Sequence, residues 1–86
     1  LGSAAASDQA HDIVAEVPGK VLEIMVSAGE QVKKNSKLFI LESMKMEFEV
    51  KASKDGIVST INVTVGEQVE SGKALAHWQE KEFQII

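Results

Sequence analysis

Apolar and polar residues alternate along most of this chain in short runs, and turn-forming residues interrupt them at frequent intervals. Ile13-Val14-Ala15-Glu16-Val17 opens the pattern, and Pro18-Gly19 closes it as a turn signal. A second strand is predicted from Lys20 to Val26, a turn at Ala28-Gly29-Glu30, and a short extended piece around Val32. The polar loop Lys33-Lys34-Asn35-Ser36 leads into a strand from Lys37 to Glu42. Past the stretch Ser43-Met44-Lys45-Met46 the same order returns. Strands are expected at Glu47 to Ala52, Ile57 to Val65 and Ala74 to Gln79, with a short piece at Val69. Turns fall at Lys54-Asp55-Gly56, Gly66-Glu67 and Ser71-Gly72. No segment holds apolar residues at helical spacing for long enough to make a helix, so the fold class is all-β.

The second half repeats the first. A shift of 37 residues lays Gly19 on Gly56, Val21 on Val58, Ile24 on Ile61 and Leu38 on Leu75, and Gly29-Glu30-Gln31-Val32 on Gly66-Glu67-Gln68-Val69. Two copies are too few for a solenoid. They predict a closed unit with an approximate two-fold axis: a flattened β-barrel or sandwich of two quasi-symmetric four-stranded halves. Val21 and Ile24 would face opposite ways in a strict period of two, so a bulge or a crossing between sheets is expected there, and again between Val58 and Ile61. Gly29 and Gly66 are expected to supply turn conformations closed to residues with a Cβ. The two-fold places the midpoint of the chain, Met44-Lys45-Met46, at a hairpin tip opposite the two chain ends. Residues 13–79 form the predicted domain. Residues 1–12 are expected to be a flexible linker or cloning remnant of a longer chain, and 80–86 a solvated C-terminal tail.

Composition narrows the function. The chain has 86 residues, a net charge of -4, one Pro and no Cys. That length supports one modest core, and the lack of Cys leaves no disulfide framework and no thiolate metal site. The acidic balance argues against nucleic acid, since Phe39, Phe48, Phe83 and Trp78 form no stacking series. No apolar run approaches a membrane span. His11 and His77 have no second ligand at suitable spacing, so no metal site is predicted. Ser43, His77 and Asp55 could be strung into a triad, but nothing in their spacing supports one. Trp78 is expected to be a partly buried anchor closing the barrel. Lysines other than Lys45 are best read as solvated surface residues.

Glu42-Ser43-Met44-Lys45-Met46 resembles the attachment motif of biotin carboxyl carrier domains, usually Glu-Ala-Met-Lys-Met. The resemblance covers Ile13 to Trp78 and includes Pro18-Gly19, both Gly-Glu-Gln-Val turns and Asp55-Gly56-Ile57-Val58. Ser43 stands where the family has Ala, a small-for-small change. The last strand, Ala74-Leu75-Ala76-His77-Trp78, is less regularly aliphatic than the family's. With only Lys20 to Ser27 between its first two turns, the chain lacks room for the thumb insertion of some carriers. The resemblance implies a flattened two-fold barrel with biotin joined covalently to Lys45. Met44 and Met46 would be the flanking recognition residues, with Glu42 and Ser43 completing the motif. It also implies the partners: a biotin protein ligase, and biotin carboxylase and carboxyltransferase domains or subunits between which the biotin carries a carboxyl group. On this reading the chain is a non-catalytic carrier, monomeric as a domain, without nucleic-acid or membrane contact, and intracellular, in cytoplasm or mitochondrial matrix.

The chemistry agrees with the motif. A free lysine amine, with a pKa of about 10.4, is almost wholly protonated at neutral pH, so an activated acyl donor and an enzyme must modify it. Other readings stand beside this one. Met44 and Met46 could be adaptable core fillers. A lipoyl carrier shares the architecture but usually carries Asp-Lys-Ala at its tip. An unmodified barrel-sandwich module would leave the central Met-Lys-Met without a purpose.

Overall fold

The computed structural model of the protein describes residues 12–79. Eight strands follow in order: β1 (Asp12–Val14), β2 (Gly19–Ile24), β3 (Gln31–Val32), β4 (Lys37–Ser43), β5 (Met46–Lys51), β6 (Gly56–Ile61), β7 (Gln68–Val69) and β8 (Ala74–Trp78). They form two four-stranded sheets, ordered β1-β8-β6-β3 and β5-β4-β2-β7. Every neighbouring pair is antiparallel. The sheets are not the two sequence halves. Each takes two strands from each half, so the two-fold exchanges one sheet for the other.

The repeat is carried by the backbone. Gly29 N–H donates to Val58 O (2.6 Å) while Gly66 N–H donates to Val21 O (2.7 Å). Asn35 N–H donates to Ala52 O and Gly72 N–H to Ala15 O, each at 2.8 Å. The Glu30 carboxylate accepts from Ser27 N–H at 2.9 Å, and Glu67 accepts from Thr64 N–H at 3.1 Å. The expected irregularities are present in both halves. Register slips between Val21 and Glu23 against β4, and between Val58 and Thr60 against β8. Each is a β-bulge that restores the inward direction of the following apolar residues.

Three strands end two or more residues sooner than the alternation suggests: β1 stops at Val14 rather than Val17, β2 at Ile24 rather than Val26, and β6 at Ile61 rather than Val65. In all three places the side chains go on filling the core after the chain leaves the ladder, Val26 beyond β2 included. Ala15 and Val63 are buried, and Asn62 N–H still reaches Leu75 O at 2.8 Å. Between the sheets lie Val21, Leu38, Phe39, Leu41, Val58 and Leu75, all fully enclosed. Each such side chain stabilises the fold by roughly 1.5–3 kcal/mol relative to exposure. Trp78 belongs to this core and is not the partly buried anchor expected from sequence, being only 4 % exposed. Gly56 makes room for it: a Cβ there would lie 3.1 Å from the indole ring. Lys54 Nζ covers the ring at 5.2 Å from its centroid, and the indole Nε1 has no hydrogen-bond partner among the described residues. His11 and Glu80-Lys81-Glu82 lie outside the described residues.

The connections fix where the ends lie. Asp12 pairs with His77 beside the Val58–Trp78 pair, and residues 52–55 tie that end of the first sheet to the end of β5. The β4–β5 turn sits at the far end of those two strands, beyond Glu42 and Glu47. The described chain therefore enters and leaves at the end away from Lys45.

Candidate functional site

β4 and β5 pair down to Ser43 opposite Met46, leaving Met44 and Lys45 alone to make the turn. Both are left-handed, with φ of 55° and 67°. Positive φ at both central residues is the signature of a type I′ turn, whose twist matches that of the flanking strands. Neither residue is Gly or Asn, and for L-residues this conformation costs roughly 1–2 kcal/mol each. The hairpin below supplies the restraint. Phe39 and Leu41 anchor β4 in the core, and β4 is held on its other edge by β2.

The turn is laid open to solvent. Met44 is 91 % exposed and Met46 61 %, which removes the core-filler reading of both methionines. Lys45 is exposed, and no hydrogen bond or ion pair to its Nζ forms among the described residues. Ser43 is half-buried and Glu42 exposed, and Glu42 stands directly across from Glu47 on one side and Lys20 on the other. The five motif residues are thus brought together at one tip.

Beside the tip is a shallow depression lined by Pro18, Gly19, Lys20, Ser43, Lys45 and Gln68. Gly19 makes this close approach possible. A Cβ there would sit 2.5 Å from Glu42 O, so any larger residue would push β2 away from the base of the hairpin. In the sequence Pro18-Gly19 is a turn signal and part of the motif resemblance, and neither discloses this close approach. The two-copy alignment of Gly19 with Gly56 was the available hint, since both remove a side chain where the opposite strand comes close.

The other candidate groups are not assembled. Ser43 lies at the tip, whereas His77 Nδ1 bonds Asp12 Oδ1 at 2.5 Å in the other sheet. Asp55 accepts from Lys34 N–H at 2.7 Å. The paper triad is therefore spread over three places. Among the described residues no group of His, Cys, Asp or Glu is placed to hold a metal. The arrangement suits a covalently attached group: an accessible primary amine on a two-residue turn, with no activating base bonded to it and no enclosing pocket around it among the described residues.

A family model described as "biotin-requiring enzyme" matches residues 9–77. The chain is 46 % identical over 67 residues to the biotinylated protein TB7.3 homolog of Mycobacterium leprae, covering 78 % of this chain and 94 % of that one. It is 42 % identical over 72 residues to a biotin carboxyl carrier protein of Streptococcus mutans, covering 84 % of this chain but 55 % of the relative. Among solved structures it is similar to a single-chain, multi-domain long-chain acyl-CoA carboxylase, with TM-score 0.76 and 25 % identity. That match covers 83 % of this chain and 7 % of the carboxylase. It is also similar to the lipoyl domain of the 2-oxoglutarate dehydrogenase complex of Azotobacter vinelandii, with TM-score 0.71, 29 % identity and coverage of 84 % and 99 %. With the two-fold barrel, the exposed Met44-Lys45-Met46 turn and a family match spanning most of its length, the chain belongs to the biotin-requiring enzyme family.

Proposed function

We propose that this protein is a biotin carboxyl carrier domain, with biotin joined by an amide to Lys45 Nζ. The observation that carries the reading is the position of that amine. It stands at the apex of a left-handed two-residue turn, between two exposed methionines, at the end of the barrel away from where the described chain enters and leaves. When attached, biotin supplies a ureido nitrogen able to take up and release a carboxyl group. The chain's own residues do the rest. The barrel holds the turn rigid, the lysine stem gives reach, and the absence of an enclosing pocket lets the group enter a partner's active site.

The attachment needs an enzyme. A biotin protein ligase presents an activated acyl donor, the deprotonated Nζ attacks the acyl carbon, the activating group leaves and a proton is released. Met44 and Met46, with Glu42 and Ser43, are the residues offered to that ligase. The further partners are a biotin carboxylase and a carboxyltransferase, as domains or subunits, and the domain itself is a monomeric, non-catalytic carrier. The working unit starts at Asp12, which already belongs to β1 and pairs with His77, one residue earlier than the sequence boundary at residue 13, and it works inside the cell, in cytoplasm or mitochondrial matrix. A tether raises effective concentration at both active sites without adding contacts.

The shared architecture of the lipoyl domain keeps a lipoyl group as the second reading, and the methionines on either side of Lys45 speak against it. The decisive experiment is the intact mass of the chain after incubation with biotin protein ligase, ATP and biotin. One added biotinyl group, absent in Lys45→Arg, is expected. A folded chain that gains no mass, or gains it from lipoate ligase instead, overturns the assignment.

A further inference from the structure

The chain holds three methionines and no cysteine, so thioethers are its only sulfur groups. Two of the three flank Lys45. Met44, at 91 % exposure, is the most open large apolar side chain among the described residues, and Met46 is 61 % exposed, whereas Met25, after β2, is 43 % exposed. Apolar groups held in water at a rigid turn are available for contact with a partner. They are equally available to small oxidants, because both side chains stand open among the described residues.

We propose that Met44 and Met46 are an oxidation site, and that their S-oxides stop Lys45 from being modified. The oxidant is hydrogen peroxide or an organic hydroperoxide. A sulfur lone pair attacks one peroxide oxygen, the S–O bond forms as the O–O bond breaks, and the second oxygen leaves as water or alcohol after proton transfer. Sulfur is oxidised by two electrons and the peroxide is reduced by two. Reversal needs a dithiol reductant, which becomes a disulfide as the oxygen leaves as water. The S-oxide is polar and chiral where the thioether was apolar and flexible. A ligase surface that packs on the two methionines must then desolvate two sulfoxide oxygens. The consequence for Lys45 rests on the biotin reading above; the location of the oxidation does not.

The test uses the full chain and hydrogen peroxide, with peptide masses followed over time and far-UV circular dichroism as the check on folding. Oxidation is expected fastest at Met44, then Met46, then Met25. The oxidised, folded chain should then take biotin about tenfold more slowly, the loss of one buried apolar contact at the ligase. Methionine sulfoxide reductase should restore the rate. A Met44→Leu, Met46→Leu chain, whatever its own starting rate, should be modified equally before and after peroxide. Oxidation of Met25 as fast as Met44 overturns the site. Unchanged biotin uptake by an oxidised wild-type chain overturns the consequence. If the untreated chain takes no biotin, the biotin reading of Lys45 fails instead, and the order of oxidation still decides the site.

Discussion

Gly66 and Gly19 are both demanded by the backbone, for unlike reasons. Gly66 has φ of 94° and open space where a Cβ would go, so its requirement is conformational. Gly66→Val should cost about 1–2 kcal/mol, the penalty of left-handed backbone in an L-residue. It should leave the rate of Lys45 modification unchanged, because the strain is stored in the β6–β7 connection. Gly19→Ala meets Glu42 O at 2.5 Å and must move backbone. A loss of about 1–3 kcal/mol, typical of overpacking, is expected there. Because β2 braces the base of the tip, biotin uptake by the folded Gly19→Ala protein should also slow. Urea denaturation and time-resolved intact mass on both variants separate the two effects. Equal modification rates for Gly19→Ala and wild type would show that the bracing does not reach the lysine.

The β4–β5 hairpin carries two like-charge pairs, and only one is relieved. Lys37 stands opposite Lys51, and Glu49 bridges both, at 3.1 and 3.7 Å. Glu42 stands opposite Glu47, and neither forms an ion pair among the described residues. Opposed like charges on neighbouring strands are destabilising. Glu47→Lys should therefore raise stability by about 0.2–1 kcal/mol. The gain should shrink as salt screens it. Urea midpoints at low and high salt, with an unchanged m-value, check both. Much of this hairpin was legible in sequence: both strands, their ends within a residue or so, and the tip between them. The turn conformation was not. Met-Lys lacks the Asn-Gly or Gly-Gly signature of a type I′ turn, and the left-handed backbone at Met44 and Lys45 is imposed by the pairing of Ser43 with Met46.

At the scale of the molecule, the repeat disclosed the symmetry but not the partition of strands between sheets. Matching Val21 with Val58, or Leu38 with Leu75, is equally compatible with two separate four-stranded halves and with two interleaved ones. Periodicity records which way a side chain faces and carries no information on which strand lies alongside. The structure chooses interleaving: four of the six strand pairings (β1–β8, β3–β6, β4–β5 and β2–β7) join one half to the other. Within the first half only β2–β4 remains, and within the second only β6–β8. A two-stranded pairing alone is marginal in water, and each half would also expose its share of the core between the sheets. Peptides covering residues 12–43 and 46–79 should therefore show no cooperative unfolding when separate. Mixed at high concentration, they should recover β-sheet circular dichroism and a concentration-dependent melting transition, because the lost pairings can reform between molecules without the Met44-Lys45 turn. A half that folds by itself would mean that local pairing, and not the interleaving of the two repeats, holds the barrel that presents the lysine.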